Sequence, residues 1–329
     1  MYKYTTASFA SSRRLGAARS ALGRGALYSS EASAIKRVAV VGGGQMGAGI
    51  AQVSATYEHG VTLIDVNHEA LDRGHAYMAK SLARVAKKKF PEEPAVAHDW
   101  VEAVLGRVRR TTSLPEGVAN ADLVVEAVVE NIAVKQKLFA DIAGAAPGHC
   151  LLASNTSSLP IGRIAEPLDA PTRGRTLGLH FFNPVPQMKL VEVVRAAETS
   201  EQAVGRAVAF VKSIGKAPAV CKDTPGFIVN RLLLPYMMEA IRLLERGVAD
   251  ARDIDTAMKL GAGYPMGPFE LCDYVGLDTL KFITDGWFKE GDGLRGDKAF
   301  AASGKLDELV AAGHLGVKSG RGFYDYSKK

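Results

Sequence analysis

One stretch limits the possible folds more than any other. Lys36-Arg37-Val38-Ala39-Val40-Val41 is a short apolar run that leads directly into Gly42-Gly43-Gly44-Gln45-Met46-Gly47. Behind it, Ala48, Ile50, Ala51 and Val53 recur at helical spacing. A second apolar run, Val61-Thr62-Leu63-Ile64, ends on Asp65. This is a strand, a glycine-rich turn, a helix and a strand, with an acid about 20 residues beyond the turn. Each glycine answers a separate physical need. Gly42 allows the tight turn, Gly44 lets backbone approach a pyrophosphate, and Gly47 lets helix and strand pack closely. The helix N-terminus adds free N–H groups and a positive dipole end. Gln45 and Met46 complete the turn. Asp65 stands where a carboxylate binds the ribose hydroxyls of NAD, would repel a 2′-phosphate, and is not followed closely by an arginine. The reading favours NAD over NADP.

The same alternation continues. His68 to Phe90 reads as one long helix, with Leu71, Met78, Leu82 and Val85 on one face and Lys87-Lys88-Lys89 at its end. Residues 91–115 are rich in proline and charge and give few signals. Asp122 to Glu130 reads as a strand leading into a helix through Val134, Leu138 and Ile142. Glu130 and Lys135 then lie near the carboxyl ends of the strands, where open α/β sheets bind ligands; a first-turn acid and an exposed lysine would look the same. Cys150 to Ala153 is another strand, followed by Ser154-Asn155-Thr156-Ser157-Ser158. Helix capping accounts for one or two of these five polar residues, not all of them. Ser157 is a candidate substrate-binding hydroxyl.

In Leu179-His-Phe-Phe-Asn-Pro-Val-Pro-Gln-Met-Lys-Leu-Val-Glu-Val193, two apolar strand-like runs flank Pro184 and Pro186. If the chain folds back there, His180 and Glu192 sit at similar distances from the turn and face each other. A carboxylate on one imidazole nitrogen raises the basicity of the other, which makes a general base. Taken alone, the stretch fits a core histidine and a surface glutamate equally well. A helix near Glu201 to Ile214 and a last strand at Ala217 to Cys221 follow.

From Lys222 onward the chain reads as helices. Phe227 to Glu245 is too apolar around its circumference to face water on one side. A subunit interface would explain it; a domain core is the other explanation. The expected organisation is a leader at 1–33, an α/β domain at 34–221 and a helical domain at 222–329. The leader contains Lys3, Arg13, Arg14, Arg19 and Arg24 and no acid before Glu31, with abundant Ser and Thr and no continuous apolar core. That is the composition of an organellar transit peptide, with the mitochondrion ahead of the plastid and a disordered tail as the plain alternative. The net charge is +6. The leader carries most of it, so the rest is near neutral and nucleic-acid binding loses its support. No run is apolar and long enough to span a membrane. Cys150, Cys221 and Cys272 are too few and too scattered for a disulfide framework or a zinc site, and no metal is expected.

The motifs together resemble one family, the short-chain L-3-hydroxyacyl-CoA dehydrogenases of fatty-acid β-oxidation. The matching stretches are Val41 to Ala51, Asp122 to Asn131, Ser154 to Leu159, His180 to Glu192, Asp223 to Arg231 and Asp255 to Asp278. They extend over most of residues 36–329, and Asp223-Thr-Pro-Gly-Phe-Ile-Val-Asn-Arg231 is the most specific. The segment from Pro91 to Glu116 matches poorly. The resemblance implies a Rossmann-type NAD domain, then an all-helical domain that forms a homodimer, in the mitochondrial matrix. It implies His180 as catalytic base oriented by Glu192, with Ser157 and Asn230 holding the substrate oxygen. It further implies that the glycine motif, Asp65, Glu130, Lys135, Ser157, Asn183 and Lys318 contact NAD, and that Ser81 and Lys88 contact coenzyme A. Rival expectations are an NADP-linked 3-hydroxybutyryl-CoA dehydrogenase, a non-catalytic relative, and a dehydrogenase of small β-hydroxy acids.

Overall fold

The structure is a computed structural model that describes residues 35–291 and 294–327. The leader expected at 1–33 lies outside the described residues. In chain order the elements begin with β1 (Arg37–Val41), α1 (Gln45–Thr56), β2 (Gly60–Ile64), α2 (His68–Lys89), α3 (Pro94–Leu105), β3 (Val108–Thr111), α4 (Leu114–Val118) and β4 (Leu123–Glu126). Next come α5 (Ile132–Ala145), β5 (Leu151–Ser154), α6 (Ile161–Ala165), α7 (Ala170–Arg173), β6 (Thr176–Phe181), β7 (Leu190–Arg195), α8 (Glu201–Ser213) and β8 (Ala217–Lys222). Helices α9 (Val229–Glu245), α10 (Ala251–Gly261), α11 (Pro268–Val275), α12 (Leu277–Glu290) and α13 (Gly304–Ala311) complete the chain.

The strands form one sheet in the order β3-β2-β1-β4-β5-β6-β7-β8, parallel except for the antiparallel β6–β7 pair. The inner strands β4 and β5 are buried throughout, as strands covered on both faces must be. The chain runs outward from β1 through β2 to β3 and then crosses back past β1 to β4, so the strand order reverses between β1 and β4. A crevice therefore opens at the carboxyl ends of β1 and β4.

The structure departs from the sequence reading in three places. Residues 91–115, which give few signals, hold α3, β3 and the first two residues of α4. Pro94 opens α3 at a position that suits proline, and β3 is an edge strand with exposed Arg109 and Arg110, so neither shows clean periodicity. Strand β4 stops at Glu126, not Glu130: the Glu126 carboxylate accepts the Val128 N–H at 2.7 Å, and Asn131 then caps α5. Helix α9 starts at Val229, not Phe227, because Gly226 and Phe227 have φ of 76° and 51°.

Asp122, just before β4, ties the amino ends of the central strands together. Its carboxylate accepts from Lys36 N–H at 3.0 Å, Arg37 N–H at 2.9 Å and the Arg37 guanidinium at 2.9 Å. Burial opposes its charge, but these donors and His149 hold the carboxyl far below its usual range. A depressed folded-state pKa adds stability above the unfolded pKa, near 4, and loses it as pH falls. Asp122→Asn should therefore cost about 1–3 kcal/mol at neutral pH. It should also flatten the loss of unfolding free energy between about pH 5 and pH 3. Urea titrations across that range check this, and a variant as acid-sensitive as wild type would contradict it.

The helical domain has its own core, including Leu234, Met238, Phe269, Trp287 and Phe300. Two buried carboxylates clamp its last segment. Asp255 accepts from Phe269 N–H, Glu270 N–H and the Tyr324 hydroxyl; Asp273 accepts from Phe323 N–H, Tyr324 N–H and the Tyr326 hydroxyl. A Cβ at Gly322 would stand 2.0 Å from Asp273 Oδ1, which accounts for the Gly-Phe-Tyr segment. In α9 one face is buried through Leu234, Met237, Met238 and Ile241, whereas Leu232 is 68% exposed. The sequence reading of a helix with no water-facing side therefore holds for part of its circumference in a single chain. Among the described residues no helix is long and apolar enough to cross a membrane.

Candidate active site

Strands β6 and β7 fold back around Pro184, and the antiparallel register pairs His180 directly with Glu192. Side chains opposite one another in such a pair share a face. His180 Nδ1 stands 2.7 Å from Glu192 Oε2, with both residues buried. The other carboxylate oxygen, Oε1, accepts the N–H groups of Ile228 at 3.0 Å and Val229 at 2.9 Å. Burial works against the charge on Glu192. The bonds from His180, Val229 and Ile228 outweigh it and hold the carboxyl below its usual range. An ionised carboxylate only accepts, so Nδ1 must carry the proton and Nε2 presents its lone pair. That lone pair points at Ser157 Oγ, 3.1 Å away. Phe182 and Phe227 lie tilted against the imidazole, with centroids at 4.5 and 5.6 Å.

The five polar residues from Ser154, the last of β5, to Ser158 each have a partner. Ser154 donates to Glu126 Oε2 at 2.7 Å, and Asn155 Oδ1 accepts Phe181 N–H at 2.9 Å. The Thr156 hydroxyl donates to Glu130, Ser157 reaches His180, and Ser158 donates to Glu130 at 3.0 Å. Burial pushes the Glu130 carboxyl up, but the Thr156 bond, the Lys135 charge and Ser158 together bring it below its ordinary value. Lys135 is not the exposed lysine that its spacing permits. It is 1% exposed and bonded to Glu126 at 2.6 Å and Glu130 at 3.2 Å.

The glycine loop takes the form its motif predicts. Gly42 has φ of 113°, and a Cβ there would lie 2.5 Å from the Ala127 carbonyl oxygen. A Cβ at Gly47 would lie 1.8 Å from the Gly42 carbonyl oxygen. A Cβ at Gly44 would meet nothing within 4 Å, and the residue is exposed at the N-cap of α1. Asp65 is fixed by Gly43 N–H at 2.6 Å and Val66 N–H at 2.7 Å. A cavity of about 620 Å³ opens there, lined by Gly43, Gly44, Gln45, Asp65, Asn67 and Arg73 among others. An open glycine at a helix N-terminus beside a fixed carboxylate suits the pyrophosphate and ribose of NAD. Gln45 Nε2 donates to Asn183 Oδ1 at 3.0 Å, which joins this loop to the turn after His180. Met46 packs against the core of the α/β domain.

The remaining expected residues are more dispersed. Asn230 occupies the first turn of α9, directly after the two residues whose N–H groups hold Glu192. Ser81 and Lys88 both lie on α2, seven residues and thus two turns apart, so they share a stripe. Lys318 lies in the helical domain, ion-paired with Asp278. Among the described residues, neither the α2 stripe nor Lys318 is bonded to the His180 cluster. Sequence reasoning missed Glu126, which sits inside an apolar strand run and shows no outward sign of its partner. It also missed Phe182 and Phe227 as walls of the imidazole.

Two family models match the chain in succession. They are described as "3-hydroxyacyl-CoA dehydrogenase, NAD binding domain", over residues 37–224, and "3-hydroxyacyl-CoA dehydrogenase, C-terminal domain", over residues 226–326. The chain is 54% identical to a mitochondrial hydroxyacyl-coenzyme A dehydrogenase of Rattus norvegicus, covering 89% of this chain and 91% of that one. It is 52% identical to a probable 3-hydroxyacyl-CoA dehydrogenase of Caenorhabditis elegans, covering 92% and 96%. Among solved structures, an (S)-3-hydroxybutyryl-CoA dehydrogenase of Ralstonia eutropha matches with a TM-score of 0.82 at 38% identity, over 90% of this chain and all of the other. With its crevice, its glycine loop and this similarity over nearly the whole described chain, the protein belongs to the NAD-binding 3-hydroxyacyl-CoA dehydrogenase family.

Proposed function

We propose that the chain oxidises L-3-hydroxyacyl-CoA to 3-oxoacyl-CoA with NAD, His180 serving as general base. The observation that carries this reading is the row Ser157–His180–Glu192, which opens at the crevice beside the glycine loop. NAD, when bound, supplies the hydride acceptor. His180 Nε2 takes the proton of the substrate's 3-hydroxyl, while Ser157 and Asn230 hold that oxygen. The buried carboxylate of Glu192, which two backbone N–H groups keep in place, stabilises the positive charge of the imidazolium so formed. In the reverse direction the same imidazolium donates the proton. Glu130, Lys135 and Asn183 line the cofactor side, with Gly42, Gly44, Gln45, Met46, Gly47 and Asp65 at the pyrophosphate and ribose. Lys318 reaches the cofactor, and Ser81 and Lys88 hold coenzyme A. Asp65, tied by two backbone N–H groups, cannot turn away from a 2′-phosphate, which opposes the NADP-linked alternative.

The α/β domain ends with β8 at Lys222, one residue beyond the boundary at 221 read from the sequence, and the helical domain follows it. Exposed Leu232, Leu260 and Phe282 support a homodimer through the helical domain. Mitochondrial relatives and the basic leader, with no acid before Glu31, support the matrix as its location. Acetoacetyl-CoA added to the protein with NADH should consume NADH rapidly, and a CoA-free 3-oxo acid should not. NADH binding without acetoacetyl-CoA reduction would overturn the substrate assignment and leave the NAD site standing.

A further inference from the structure

We propose that Glu126 is a positioning residue of this reaction, setting the place of Ser157 against His180 from the floor of the crevice. The inference rests on the functional reading above. Glu126 is fully buried at the last position of β4, and Lys135, one turn into α5, is 1% exposed. Such a pair is not an economical source of stability. Taking two charges out of water costs several kcal/mol each, and apolar residues of the same volume often serve as well. What the pair does provide is a single geometry. Glu126 Oε1 accepts Lys135 Nζ at 2.6 Å and Val128 N–H at 2.7 Å, and Oε2 accepts Ser154 Oγ at 2.7 Å.

Two paths lead from this carboxylate to the loop after β5. In the first, Lys135 Nζ also meets Glu130 Oε2 at 3.2 Å. Glu130 Oε1 then gathers the Thr156 hydroxyl, Ser157 N–H at 3.3 Å, Ser158 N–H at 3.3 Å and Ser158 Oγ at 3.0 Å. In the second, Ser154 Oγ accepts Thr156 N–H at 3.2 Å. Both paths end on the backbone that carries Ser157, whose hydroxyl stands 3.1 Å from His180 Nε2. Glu126 touches neither that hydroxyl nor the imidazole, so it acts only through the loop.

The test is a double-mutant cycle of Glu126→Gln with Ser157→Ala. Glutamine keeps the shape: its oxygen accepts from Lys135 and Val128, but its amide can only donate toward Ser154, so the charge is lost and the Ser154 hydroxyl loses its acceptor. Glu126→Gln should lower kcat for acetoacetyl-CoA reduction about tenfold. NADH affinity, followed by fluorescence titration, should stay within about threefold of wild type. In the Ser157→Ala background the same change should alter kcat by less than about twofold, because its route to His180 is already gone. Losses that multiply, a Glu126→Gln variant as fast as wild type, or a loss of NADH affinity that matches the loss of kcat would each overturn the proposal. Should Glu126→Gln not fold, Ser154→Ala in the same cycle replaces it, since it cuts the second path from Glu126 by removing a single hydroxyl. A wild type that reduces no acyl-CoA sinks the functional reading instead, whereas multiplicative losses in an active wild type sink only the role of Glu126.

Discussion

His180→Ala should reduce NADH-dependent reduction of acetoacetyl-CoA by about a thousandfold, within the span general acid–base groups supply. NADH affinity should change little, because His180 is bonded to Glu192 and Ser157 and not to the glycine loop. Glu192→Gln should be nearly as harmful, through a different route. Glu192 Oε1 is committed to two backbone N–H groups. In the glutamine variant the carbonyl oxygen must take that place, which turns the amide N–H toward His180 Nδ1. Two donors cannot face each other, so the imidazole shifts its proton to Nε2 and loses the lone pair a base needs. Holding a histidine in the wrong tautomer costs other enzymes about ten-thousandfold in turnover. A loss of at least about a hundredfold is the expected result here. Steady-state rates beside fluorescence titration of NADH check both variants. If Glu192→Gln weakened NADH binding as much as it lowered kcat, the carboxylate would be serving the cofactor and not the base.

What the sequence made legible was local chemistry. The glycine motif could be read because a tight turn, an open helix N-terminus and a close crossing each require glycine at one spacing, and Gly42, Gly44 and Gly47 supply all three. The pairing of His180 with Glu192 could be read because the prolines mark a turn midway between them, and hairpin register follows from turn position. The serine-rich loop was visible as more polar residues than a cap needs, although which partner each would find was not. Glu126 was hidden for the opposite reason. In Leu123-Val-Val-Glu-Ala-Val-Val it looks like a strand acid turned to water, and the approach of Lys135 from α5, with Val128 N–H and the Ser154 hydroxyl, makes its burial tolerable. Segment 91–115 was opaque because the exposed charges of α3 and β3 mask their apolar faces. Ser81 and Lys88 came from resemblance alone. Their common stripe on α2 is consistent with a shared ligand, but among the described residues no bond joins them to the base.

The second large effect belongs to the glycine loop, where alanine at two positions three residues apart should have unlike consequences. At Gly47 the obstacle is space: the new Cβ would stand 1.8 Å from the Gly42 carbonyl oxygen and 3.0 Å from its carbon. Both are backbone atoms, so no side chain can swing aside, and the first turn of α1 must move away from β1. Overpacking of this kind costs about 1–3 kcal/mol or more. It also opens the loop, so Gly47→Ala should melt at lower temperature and bind NADH at least about a hundredfold more weakly, near 3 kcal/mol. At Gly44 no atom lies within 4 Å of the added methyl group. Gly44→Ala should therefore melt like wild type, yet it should also lose NADH affinity, because the methyl group stands where backbone approaches the pyrophosphate. Thermal unfolding without cofactor, followed by NADH titration, separates the two effects. A Gly44→Ala protein that bound NADH as wild type does would mean the pyrophosphate does not lie against this turn, and the cofactor assignments built outward from it, to Asp65 and Asn183, would have to be redrawn.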